Sequence, residues 1–172
     1  MAMNIVKPPQ GAYWGRFNDR QIDKSWVNKL LEAFNDNLDN FADRTAIEVV
    51  VKKEWLKNAS EVVESVDGKS IGTVAMIKFT DEGQQAIAKD NLWVLGGNHR
   101  RRALVEYVTT KTKELDVMKK QIRDMEAAAK PGPQGGEEDG QNLDALKRAA
   151  KRQEELIDAS SLWAIRLYDR GA

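Results

Sequence analysis

The stretch Gly96-Gly97-Asn98-His99-Arg100-Arg101-Arg102-Ala103 gathers residue types that can hold an anion. Glycines adopt φ > 0 readily and let a ligand approach the backbone. A helix opening there presents first-turn amides with no intrahelical partner, and its macrodipole adds about half a positive charge. Asn98 is a favoured N-cap residue. His99 and Arg100 add side-chain donors, and a guanidinium fork matches phosphate oxygens in a bidentate way. Arg101 and Arg102 point about 100° and 200° further round a helix, so the three arginines cannot all serve one ligand. Arginine in a first helical turn also opposes the dipole, which implies some other compensating role. The alternative is a plain strand–Gly–Gly–helix connection with a solvated basic first turn, and the residue types alone leave the two readings even.

Composition narrows the chemistry. His99 is the one histidine and there are no cysteines, which excludes disulfides, thiolate zinc sites and cysteine nucleophiles, and makes a His-based metal site improbable. A carboxylate-held Mg²⁺ that borrows phosphate oxygens stays open, with Asp19, Asp23 and Glu48 as candidates that no spacing singles out. Lys+Arg and Asp+Glu are each 27, so no global basic field exists and any polyanion site must be local. With 41% hydrophobic residues against 31% charged, the chain of 172 residues is expected to fold as one domain with an appendage. No secretory signal pattern and no spanning apolar run is present, so a soluble intracellular protein with no membrane partner is the expectation.

The stretch VLGGNHRRRALVEYV resembles the phosphate-binding turn of the ParB/sulfiredoxin superfamily. Sulfiredoxins carry Gly-Gly-Cys-His-Arg there, matched by Gly96, Gly97, His99 and Arg100. ParB-type domains carry Gly-Glu-Arg-Arg-x-Arg-Ala, matched by Gly97, Arg100, Arg102 and Ala103. The resemblance covers residues 4–108 loosely and is specific around Leu95–Leu104. It implies a small mixed sheet with helices and a site for nucleotide phosphates, ATP or CTP, with Mg²⁺ as an accompanying ion. Carried over by residue, a phosphate sits on the amides near Gly97–His99, with His99 and Arg100 as donors and Arg102 as a second-line contact. Arg16 is expected to face the same pocket if the N-terminal strand lies beside it. Asn98 stands where sulfiredoxin needs its cysteine, which excludes reduction of a sulfinic acid by that route. No helix-turn-helix region follows, so a ParB-like DNA-binding role has little support.

The elements that must position this turn follow from periodicity. Asn4–Pro9 reads as a short edge strand ended by Pro8 and Pro9, and 11–23 as turn. Asp23 or Ser25 caps a helix to about Leu38 carrying Trp26, Val27, Leu30, Leu31 and Phe34 at helical spacing. Ala46–Leu56 reads as a buried strand. Two extended segments flank Asp67-Gly68, although 58–66 could equally be a short helix. Asp81–Asp90 reads as a helix and Leu92–Gly97 as a buried strand.

From about His99 the pattern becomes helical. Leu104, Val108, Lys111, Leu115, Met118, Ile122 and Met125 form a heptad seam with one polar interruption. Lys130–Asn142 is a Pro-, Gly- and acid-rich break, after which Leu143, Leu146, Ala150, Gln153 and Ile157 continue a weaker seam. The expected organisation is an α+β domain over 1–108, a helical hairpin insertion over 109–159 with a flexible loop at 130–142, and a strand in 160–172 returning to the sheet. Trp26, Trp55, Trp93 and Trp163 read as core, while Tyr13 and Trp14 are candidates for stacking on a base.

Three functions fit these residues. The first is a nucleotide-binding domain, with phosphohydrolase or phosphotransfer activity left open because no general base is identifiable. The second is a nucleic-acid-associated module using the Arg-rich turn. The third is a scaffold that pairs with itself or another protein through the helical hairpin.

Overall fold

The computed structural model describes residues 2–14, 21–36, 38, 45–57, 62–63, 74–90, 92–128 and 137–171. It is an α+β fold: a curled mixed sheet carrying helices, extended by a long C-terminal helical hairpin. The strands are β1 (Ala2–Asn4), β2 (Ala12–Tyr13), β3 (Ile47–Val51), β4 (Val62–Val63), β5 (Val74–Ala75), β6 (Leu92–Val94) and β7 (Leu162–Asp169). The helices are α1 (Lys24–Asp36), α2 (Asp81–Asp90), α3 (Asn98–Ala128) and α4 (Glu137–Ser160), with a 3₁₀ turn at Lys53–Trp55.

The main sheet runs β1-β7-β3-β6-β2. β7 is antiparallel to β1 and parallel to β3, while β6 is antiparallel to β3 and parallel to β2. β3 supplies the centre because its β-branched residues alternate: Ile47, Val49 and Val51 are buried and Glu48 and Val50 half-buried. Beyond the sheet, residues 76–79 make isolated bridges to Ala2 and Leu56. There Ala2 O accepts the amide of Ile77, and Lys57 N donates to Lys78 O, each at 2.9 Å. A separate antiparallel pair, β4–β5, registers Val63 opposite Val74, so the two extended segments form strands rather than a helix. The Asp67-Gly68 turn between them lies outside the described residues.

β7 lies between β1 and β3 and turns Trp163 and Ile165 into the core. α1 covers the sheet with Val27 and Phe34 buried, and Phe34 meets Tyr107 of α3 edge-on at 6.2 Å between ring centroids. α2 begins where Thr80 Oγ1 accepts the amide of Gly83 at 2.9 Å, an N-cap bond.

α3 and α4 pack antiparallel through the seam: Leu115 and Ala150 are buried, and Met118, Ile122, Met125, Leu143, Leu146 and Ile157 half-buried. The polar seam positions meet one another. Lys111 pairs with Glu114 at 3.0 Å, and Gln153 Nε2 donates to Lys111 O and to Glu114 Oε2 at 3.3 and 3.2 Å. Exposed pairs Lys119–Glu154 and Lys147–Glu126 flank the seam and contribute little individually. Among the described residues no helix is long and apolar enough to cross a membrane.

Four expectations are corrected. β1 begins at Ala2 and ends at Asn4, well before Pro8: Ile5 still donates its amide to Ser161 O in the register of the β1–β7 pairing, and Lys7 N then donates to Asn4 Oδ1 at 2.7 Å as the chain turns. Ala12–Tyr13 is a strand rather than turn, stabilised by pairing with β6. α4 begins at Glu137, so 137–142 is helix rather than flexible loop. Trp26 is 58% exposed instead of core, lying about 100° round α1 from the buried Val27.

Candidate functional site

The Gly-Gly turn leaves the sheet at the end of β6, where the amide of Leu95 is still held by Glu48 O at 2.9 Å. The two glycines differ in purpose. Gly97 has φ +85, and a Cβ there would stand 3.0 Å from two carbons of Ile47, so both conformation and close packing require glycine. A Cβ on Gly96 would meet nothing within 4 Å, which leaves open space over the turn.

α3 starts immediately, and Gly97 O accepts the amide of Arg101 at 2.7 Å. Gly97 is therefore the N-cap residue, and Asn98, expected as the cap, is the first residue of the helix. The amides of Asn98, His99 and Arg100 fall outside the intrahelical ladder. No acidic residue occupies the first turn of this 31-residue helix, so nothing of opposite charge in that turn answers the dipole.

His99 Nε2 accepts the backbone amide of Asp23 at 2.9 Å. This bond fixes the ring as an acceptor at Nε2, with its proton on Nδ1. Asp23 is itself the N-cap of α1: its Oδ1 accepts the amide of Ser25 at 2.8 Å. The Ser25 hydroxyl and then the Ser25 amide hold the Asp23 carboxyl below its ordinary value; burial opposes them, and the Trp26 amide adds a smaller lowering. Asp23–His99 and Phe34–Tyr107 follow one another in the same order along both helices. α1 and α3 thus run parallel, with their positive ends side by side.

The arginines go three separate ways. Arg100 Nη1 donates to Thr45 O at 2.6 Å beside Trp163, whose Nε1 donates to the same oxygen at 2.8 Å. The Arg100 guanidinium lies 5.4 Å from the Trp163 ring, and burial lowers its pKa. Arg101 donates through Nε to Ile5 O at 3.2 Å and lies over the Trp14 ring at 4.8 Å. Arg102 is exposed and pairs with Glu106 at 2.7 Å. The cradle therefore offers backbone amides and His99, while each guanidinium is engaged within the chain.

The remaining candidates divide. Arg16 and Asp19 lie outside the described residues. Glu48 accepts the Tyr168 hydroxyl at 3.2 Å and lies 4.0 Å from Arg166. Among the described residues no group of three His, Asp or Glu side chains gathers to hold a metal ion. Trp14 is buried under Arg101, whereas Tyr13 is 45% exposed. Sequence reasoning missed the Asp23 amide, the Thr45 carbonyl and the exposed Trp26. The first two are backbone groups 76 and 55 residues from their partners, and nothing in the local sequence signals them. Against known proteins, the chain matches no family model, no curated protein and no solved structure.

Proposed function

We propose that the turn between β6 and α3 binds the phosphate groups of a nucleoside triphosphate, ATP or CTP, in the manner of ParB/sulfiredoxin-like domains. One observation carries the reading: Gly97, at φ +85 and packed on Ile47, starts α3 with no acid in its own first turn, next to Gly96, where a Cβ would meet nothing within 4 Å. The amides of Asn98, His99 and Arg100 are the donors, and His99 adds Nδ1–H while its Nε2 stays on Asp23. A Mg²⁺ ion would travel with the triphosphate oxygens. Arg100 and Arg102 join the site only by leaving Thr45 and Glu106, so they are reserve contacts. Transfer or hydrolysis needs a base for the acceptor, and the Asp23 carboxylate is committed to capping α1, so the reading is binding rather than catalysis.

The test is a thermal-shift panel of ATP, CTP, GTP and ADP, with and without Mg²⁺, on wild type and Gly96→Val. The substitution fills the open space, and its Cβ meets no neighbour within 4 Å. A nucleotide at a hundredfold excess over Kd should raise the wild-type Tm by about 5 °C or more and leave Gly96→Val unmoved. No shift in the wild type at millimolar nucleotide refutes the reading. An equal shift in both proteins refutes the site. Arg100→Ala is a poorer probe, because it also removes the tie to Thr45.

A further inference from the structure

Trp26 is the third residue of α1 and is 58% exposed, the most exposed of the large hydrophobic side chains among the described residues. Its backbone belongs to the turn that Asp23 caps, and the Asp23 amide sits 2.9 Å from His99 Nε2. Residues three apart on a helix share a face, and the Cα–Cβ bonds of α1 tilt toward its N-terminus. The base of the indole is thus set just under one helical turn, roughly 4.5 Å along the axis, from the residue that touches His99. The Lys29 ammonium lies 5.2 Å from the ring centroid, so the ring already accepts one partner on its π-face. Ile22, just before the cap of the same helix, is also exposed, at 46%.

We propose that Trp26 is the platform for the nucleobase, so that the ligand is recognised as a nucleotide rather than as a bare polyphosphate. This rests on the phosphate-binding reading of the β6–α3 turn. A ribose and its first phosphate bridge the gap between indole and cradle. Stacking of a base on an aromatic ring is tolerant of base identity, so both purine and pyrimidine nucleotides are accepted, the larger purine gaining more. Lys29 holds the ring from one side and leaves the other face for the base. Asp23 links the two halves, since it starts the helix that carries Trp26 and fixes the ring of His99.

The experiment is calorimetric titration of the full chain, as wild type, Trp26→Ala and Trp26→Phe, with ATP, CTP and inorganic tripolyphosphate. Trp26→Ala should weaken ATP and CTP about tenfold or more and leave tripolyphosphate unchanged. Trp26→Phe should recover most of the loss. Because the side chain is largely exposed, the Tm of each variant should match wild type, which establishes that the fold is intact. If wild type binds tripolyphosphate as tightly as ATP, or Trp26→Ala binds nucleotide as wild type does, the cradle stands and the platform is overturned. Equal weakening of tripolyphosphate and nucleotide also overturns it, since Trp26 then acts through α1 alone. If wild type binds neither, the phosphate reading is wrong and the platform falls with it.

Discussion

The backbone amide of Asp23 donates to His99 Nε2 at 2.9 Å, joining the N-terminal ends of two parallel helices. The bond dictates a tautomer. Long-range ¹H–¹⁵N spectra near neutral pH should show His99 protonated at Nδ1 and bare at Nε2. In His99→Ala the Asp23 amide should lose protection against hydrogen exchange. A ring protonated only at Nε2 contradicts the arrangement.

Asp23 should make stability depend on pH in a defined direction. Its carboxyl is held low, chiefly by the Ser25 hydroxyl, so the carboxylate stabilises the fold above the ordinary carboxylate range. That contribution disappears as pH falls through the depressed folded value. Urea denaturation of wild type and Asp23→Ala should therefore show a steady stability gap at neutral pH that closes in acid. A gap that widens on acidification has the wrong sign.

The two glycines should respond differently to alanine. Gly97→Ala forces a side chain into φ +85 and against Ile47, and should cost about 1–3 kcal/mol. Gly96→Ala should fall within about 0.5 kcal/mol of wild type, since its Cβ meets nothing. Denaturant midpoints measured on both variants decide this.

Much of the framework was legible because its signals are local. Val27, Leu30, Leu31 and Phe34 repeat at helical spacing, Ile47, Val49 and Val51 at strand spacing, and Leu104 through Met125 by heptads. The hairpin seams followed from the same count. β2 was not legible, because a two-residue strand exists only through its pairing with Leu92 and Trp93, some 80 residues away. Trp26 was misplaced because residue type says hydrophobic while its angle on α1 says solvent. At the turn, the glycines and helix start were readable from residue types. The destinations of Arg100 and Arg101 were not, since Thr45 O and Ile5 O are carbonyls that any residue could supply.

Arg100 and Trp163 converge on one acceptor, and their effects on stability should not add. Arg100→Met should cost about 1 kcal/mol and Trp163→Phe about 1–3 kcal/mol, since the indole is almost fully buried. The double variant should differ from the sum by about 0.5 kcal/mol or more in a denaturation cycle. Strict additivity means that the shared Thr45 carbonyl does not couple them.

The most direct measurement of the central claim is an amide-resolved NMR titration of the full chain with ATP, with and without Mg²⁺. If the β6–α3 turn holds the phosphates, the amides of Gly97, Asn98, His99 and Arg100 shift most and saturate together, and Gly96→Val abolishes those shifts. Saturating shifts that map elsewhere, or no saturating shift at millimolar nucleotide, contradict it.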